Sequence, residues 1–339
     1  MIQKHHDGIP VHNLQDSSLA PESCWVLTDG KAGDETQCVG VAEALGTQYE
    51  IRRVAPRPPF SWAMPWGPVD PRESDRRPGS PIAPPFPDIV IASGRRAVPY
   101  LRRVKKASRG RTFTVFLKDP RTGPKTADLI WAPDHDGLRG ANVLVTPTAP
   151  HRFSRRVLAE LRDRPHPDID ALSRPRVAVL IGGDSRHHTF TQGDIERLAA
   201  GLARLADDDG ASLMITASRR TPEPLRRRLE HLAASRGCLL WDGSGQNPLP
   251  AYLAKADAIV ATADSTNMIG EAAATGKPVH VFTPRGHHPK IDRFLGTLTS
   301  IGVIHPFPGP LKNTTYEPLD STPMIAGEIL KRFARHRAG

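Results

Sequence analysis

Short apolar runs alternate with amphipathic stretches along most of the chain. Residues 25–28, 49–54, 88–92, 112–117, 128–132 and 141–145 read as strands. In the run Asp88-Ile-Val-Ile-Ala92 the four positions after the aspartate are successively apolar, as a strand covered on both faces requires. Helical spacing puts Val39, Ala42 and Leu45 on one face of a helix over 35–45, which Gly46 ends. It puts Val98, Leu101 and Val104 on another, opened by Ser93-Gly94. The alternation restarts with a strand at 176–183 and continues with strands at 212–216, 237–241, 258–261 and 278–282. Helices over 191–207, 223–235, 249–255 and 267–275 lie between them, and a basic helix over 323–336 follows. This order predicts an α/β fold: two Rossmann-like doubly wound domains, each a parallel sheet wrapped by helices, facing each other across a cleft.

The expected organisation is a flexible tail over 1–21, a first domain over 22–160, a second over 175–320 and a closing helix over 323–339. The span 56–87 holds eleven prolines, a density that no regular element survives, so an irregular excursion is expected there. A short helix around Leu158 and Leu161, then Arg164-Pro-His-Pro, joins the halves.

A length of 339 residues allows two substantial cores, and 38% hydrophobic with 24% charged residues fits a globular protein. The net charge of +10 comes mostly from arginine. One cluster is Arg102, Arg103, Lys105, Lys106, Arg109 and Arg111, and another is Arg226 to Arg228. Solvated helix surface is the plain reading of both; an anionic lipid or membrane-surface acceptor is the functional one. Only 6% of residues are aromatic and none interleaves the clusters, so no nucleic-acid partner is expected. No apolar run has bilayer length, and the tail lacks a signal-peptide core. Cys24, Cys38 and Cys238 are too scattered for a disulfide framework or a zinc site. A cytoplasmic protein follows, peripheral at most at the inner face of the membrane.

Candidate chemistry sits where predicted strands end. Asp29-Gly-Lys-Ala-Gly33 lacks both the Walker and the dinucleotide spacing but allows close backbone approach to a ligand, with Asp34 a possible base. Arg95 and the helix start at 93–96 suit a phosphate or carboxylate. In Asp134-His-Asp136, His135 is either a general base oriented by a carboxylate or a turn cap. In the second half, Gly182 and Gly183 let the backbone close on a phosphate to which Ser185 donates. Ser218, Arg219 and Arg220 follow the next strand, the two arginines suited to neutralising a diphosphate. Asp264, Ser265, Thr266 and Asn267 form a polar turn opening a helix, and Glu271 follows almost two turns later, suited to sugar hydroxyls. Any α/β crossover has this outline; its repetition at four strand ends of one domain favours a nucleotide. His187-His188 and His287-His288 are adjacent pairs whose side chains point apart, and no metal or other cofactor is expected.

Several of these stretches together are distinctive. They are 26–33 with Gln37, 91–96, His135-Asp136, 180–185, 216–221, and Thr262-Ala-Asp-Ser265 through Met268, Glu271 and Gly276-Lys-Pro278. On them the chain resembles, over about 24–316, the family named for a plant mitochondrial fission factor, "elongated mitochondria", which has many bacterial members. That family is similar in fold to GT-B glycosyltransferases. The resemblance implies a nucleoside-diphosphate sugar held mainly by the second domain, with Glu271 on the donor ribose and 264–267 facing the diphosphate. Many relatives carry His where this chain has Asp34, which leaves Asp34 and His135 as candidate bases. Ser185, Arg219 and Ser265 would then hold phosphate. Sugar transfer to an acceptor in the cleft is the leading function. A non-catalytic membrane-surface adaptor, like the plant relative, is the second. A GT-B-type sugar-nucleotide epimerase is the third, and Asp34, Asp119 or Asp264 would have to be its carboxylates.

Overall fold

The computed structural model describes residues 20–338. The first sheet is built from β1 (Ser23–Thr28), β2 (Gln48–Arg53), β3 (Ile89–Ser93), β4 (Phe113–Leu117), β5 (Leu129–Pro133) and β6 (Val143–Thr146). All its pairings are parallel, in the order β2-β1-β3-β4-β5-β6. Helices α1 (Ala32–Leu45) and α2 (Ala97–Ala107) make the crossovers after β1 and β3. Every residue of β3, β4 and β5 is buried, which explains their largely apolar sequences. Gly46 ends α1 in the left-handed conformation at φ 69°.

Helices α3 (Arg155–Asp163) and α4 (Pro167–Asp170) lie between the halves. The second half comprises β7 (Arg176–Ile181), β8 (His188–Thr189), α5 (Gln192–Asp207), β9 (Ser212–Ala217), α6 (Glu223–Arg236), β10 (Leu239–Trp241), α7 (Leu249–Lys255), β11 (Ala258–Thr262), α8 (Thr266–Ala273), β12 (Val279–Phe282), β13 (Arg285–Gly286), α9 (Pro289–Ser300) and β14 (Ile304–Phe307). Its main sheet is parallel, in the order β10-β9-β7-β11-β12-β14, and β8 pairs with β13 as a small antiparallel ribbon.

Helix α9, strand β14 and the two ribbon strands were not expected from the pattern, nor was the single turn α4 in the linker. In α9, Phe294 and Leu298 are buried one turn apart, a signal too sparse to announce a helix. Strand β14 contains Pro306, which argues against a central strand but is tolerated at the sheet edge where β14 lies. The ribbon strands are two residues each, below any periodicity. The basic closing helix, α10 (Thr322–Ala338), returns to the first sheet. Its Ile325, Ile329 and Phe333 join the cluster of Val26, Val41 and Phe113. Each such fully buried side chain is worth about 2 kcal/mol. The 56–87 excursion contains only two 3-10 turns, Phe60–Trp62 and Pro71–Glu73, yet it is packed, with Met64 and Ile82 buried against Tyr100 and Leu101.

Candidate active site in the interdomain cleft

In an open parallel sheet, ligands bind outside the carboxyl ends of the strands where the order reverses. Here those points lie between β1 and β3 and between β7 and β11. The second is braced by one carboxylate. Asp264 follows β11, and its side chain is fully buried. It accepts from Gly183 N at 3.0 Å, Thr262 Oγ1 at 2.6 Å and Arg220 Nη2 at 3.0 Å. The approach is so close that a Cβ on Gly182 would stand 2.2 Å from the Asp264 carboxylate oxygens. One on Gly183 would stand 2.0 Å from the Arg220 carbonyl oxygen.

This bracing occupies groups that three expectations had given to a ligand. Asp264 does not turn its carboxylate to a diphosphate. The N–H groups of Gly182 and Gly183 do not cradle a phosphate, because they donate to Thr262 Oγ1 and Asp264. Arg220 binds Asp264 and the carbonyls of Gly183 and Asp184, so it fastens loops together. Both glycines are required by close approach between loops.

Ser185 Oγ accepts from the N–H groups of His187 and His188, and Ser218 Oγ accepts from Arg220 N. Arg219 is exposed and has no carboxylate partner among the described residues. The two histidine pairs meet across the ribbon, with the His187 and His288 rings 3.9 Å apart. Among the described residues no group of three or more His, Cys, Asp or Glu side chains is arranged to hold a metal ion.

Helix α8 begins at the cleft. Ser265 caps it, accepting from Met268 N, while the first N–H groups of any α-helix have no partner within the helix. Ser265, Thr266 and Asn267 line a 360 Å³ cavity whose other wall comes from the first domain, through Gln37, Lys118, Trp131 and His135. Gln37 Nε2 donates to Asn267 Oδ1 at 3.0 Å across the boundary. Two helical turns along, Glu271 lines a separate 1270 Å³ cavity with Gly40 and Glu43 of α1, His151 and Asn247. The Glu271 carboxyl is half-buried, and burial alone pushes its pKa up to about 7. No cation or donor among the described residues offsets that burial. Ser265 and Glu271 therefore sit on one helix but face two cavities.

On the first domain, Asp34 stands in the opening turn of α1 and pairs with Lys118 at 2.6 Å. Lys118 lines both the 360 Å³ cavity and a 540 Å³ cavity shared with Arg95, Asp119, Arg121 and, from the second domain, Arg186. Lys118 and Arg121 both hold positive φ, 81° and 61°, a conformation that side-chain-bearing residues adopt only where surrounding packing enforces it. Arg95, Arg121 and Arg186 have no carboxylate partner among the described residues. Lys118, Gln37 and Arg186 were not singled out as site residues. Lys118 and Arg121 flank a proline directly after a buried strand, the one readable sign.

His135 lies in a 3-10 turn, Asp134–Asp136, edge-on to Phe294 at 5.3 Å. Burial holds its imidazole below the usual histidine range, so the ring is neutral. The carboxylate-oriented reading is corrected: Asp134 pairs with Arg139 at 2.5 Å and Asp136 with Lys290 at 2.8 Å, and His135 Nδ1 has no partner.

Two Rossmann-like sheets facing a cleft, with α8 opening onto it, define a protein of GT-B fold. A Methanocaldococcus jannaschii UDP-GlcNAc 2-epimerase is similar at TM-score 0.52 and 12% identity, over 92% of this chain and 99% of that one. Staphylococcus aureus MnaA, solved with UDP, is similar at TM-score 0.50 and 13% identity, over 93% and 90%. The family model described as "Mitochondrial fission ELM1" matches residues 32–333, and the chain belongs to that family. The Arabidopsis thaliana mitochondrial fission protein ELM1 is 28% identical over 275 residues, 73% of this chain and 64% of the plant protein. A Rickettsia prowazekii protein, RP120, is 28% identical over 162 residues, 45% of each. The match thus spans less than two thirds of either relative.

Proposed function

We propose that the protein binds a nucleoside-diphosphate sugar on the second domain and transfers the sugar to an acceptor seated on the first. The observation that carries this reading is α8. Its capped N-terminus opens onto the cleft, where a helix end favours an anion, and Glu271 follows as a partly buried carboxylate without a protein partner. A carboxylate in that state is stabilised by the hydroxyl donors of a ribose, which this reading places in the 1270 Å³ cavity that Glu271 lines while the diphosphate stays at the helix start. Arg219 and Ser185, on neighbouring strand ends, complete the phosphate side. A structural neighbour solved with UDP supports a uridine diphosphate as the first nucleotide to try.

In the reaction, an acceptor hydroxyl oxygen attacks the anomeric carbon as the bond from that carbon to the diphosphate oxygen breaks. The diphosphate leaves with the electron pair, and helix α8 and the arginines stabilise its charge. The acceptor proton passes to Asp34 or to the neutral imidazole of His135. Arg95, Arg121 and Arg186, without carboxylate partners, favour an acceptor that carries a phosphate or carboxylate. The epimerase alternative keeps the donor and needs two carboxylates beside the sugar; Asp34 and Asp119 line one cavity, whereas the buried Asp264 is withdrawn from that role. Thermal shift with UDP, UDP-sugars and the other nucleoside diphosphates tests the binding step. A rise in melting temperature with one nucleotide series supports it; no rise with any of them removes it.

A further inference from the structure

The excursion at 56–87 presents a surface that the cleft chemistry does not use. Trp62 and Trp66 are 77% and 69% exposed, more than any other large hydrophobic side chain among the described residues. Met64, between them, is buried in the first domain's core, so the segment that displays them is anchored. Exposed, fixed tryptophans are an unusual expense of apolar area.

The charges of this segment and of the adjoining α2 are sorted by sign. Asp70 is held by Arg72 and by Arg57 N, Glu73 by Tyr100 Oη and Ala55 N, and Asp75 by Arg103. Every acid between 56 and 87 is thereby engaged within the domain. Arg76, Arg77, Arg102 and Lys106 are exposed and have no carboxylate partner among the described residues. Trp66, Val69, Pro99, Arg102 and Lys106 line one 570 Å³ groove.

We propose that this face docks the protein on an anionic lipid bilayer, with Trp62 and Trp66 at headgroup depth and Arg102 and Lys106, which share the groove with Trp66, on lipid phosphates. Indole rings favour the water–lipid boundary, where the ring is apolar and its N–H stays wet. Cations near an anionic leaflet add attraction that salt screens. A second copy of this chain is a poor occupant, because the face has no outward acid to meet its own arginines.

The test is flotation of the full chain with vesicles of phosphatidylcholine alone and with phosphatidylglycerol added. Binding is expected only with the anionic lipid, and it should weaken as salt rises. One variant carries Trp62→Ser with Trp66→Ser, the other Arg102→Glu with Lys106→Glu. Each cation near the surface is worth about a fivefold change in partition, so loss of two cations alone weakens binding about 25-fold, and the two added carboxylates should make the charge-reversed protein bind more weakly still. All four side chains are exposed, so unchanged melting temperatures confirm that the variants fold. Equal flotation of both variants and the parent overturns the proposal. So does Trp-dependent capture of a single-stranded oligonucleotide while vesicles stay unbound. The nucleotide-induced thermal shift should be untouched by either variant, so failure here leaves the cleft reading standing, and the reverse also holds.

Discussion

Replacing Glu271 with Gln removes one charge, changes little in shape, and reports on both the fold and the site. Burial raises this carboxyl from 4.5 to about 7. At about 1.4 kcal/mol per pH unit, that sets a ceiling of roughly 3.5 kcal/mol for ionising the folded side chain. Partial exposure to solvent reduces it to about 1.5–2 kcal/mol. The folded protein binds more protons here than the unfolded chain between pH 4.5 and about 7, so stability falls as pH rises through that window. Glu271→Gln should therefore raise the melting temperature by roughly 2–3 °C at about pH 8 and leave it nearly unchanged at about pH 5. The same variant should lose about 1.5–3 kcal/mol of nucleotide affinity, the worth of a hydrogen bond to a charged group. Scanning calorimetry of both proteins at both pH values, with and without UDP, reads all of this. An equal shift at the two pH values, or a destabilised variant at high pH, would refute the argument, because either result means that the carboxylate already has a partner.

Asp264→Asn should destabilise the protein by about 2–4 kcal/mol in urea unfolding, since a fully buried carboxylate on Gly183, Thr262 and Arg220 loses its charge. Gly183→Ala should cost about 3 kcal/mol or more, because the added methyl meets the Arg220 and Thr221 backbone, which cannot step aside; wild-type stability would show that the loops are not clamped. Asp34→Asn or His135→Asn, whichever removes the base, should lower turnover about 10²–10⁴-fold while the nucleotide thermal shift persists. Equal activity in both single variants would exclude both residues.

The sheets were legible because buried parallel strands leave continuous apolar runs such as 89–92 and 258–261. Their ends, and so the strand-end loops at the cleft, followed from the same pattern. What the loops do was less legible. Asp264 and Ser265 are neighbours of similar polarity that line one cavity, yet the carboxylate of the first lies under the Gly182–Gly183 turn. Only the tertiary approach of β7 and β11 separates them. The same holds for Arg219 and Arg220, adjacent residues of which one clamps a loop and the other is free. Positive φ at Lys118 and Arg121 leaves no trace in residue type, since nothing short of the surrounding packing selects it. The excursion read correctly as irregular, but prolines do not disclose that Met64 and Ile82 anchor it.

The return of α10 to the first sheet also bears on how the chain is made. Ile325, Ile329 and Phe333 complete a hydrophobic layer begun by Val26 and Val41, some three hundred positions earlier. On the ribosome, the amino-terminal half emerges first yet waits with an uncovered flank until the carboxyl-terminal half has been synthesised and folded. A fragment stopped before α10 would carry that bare flank permanently, making the earliest-made domain the one most dependent on the ribosome reaching residues 322–338.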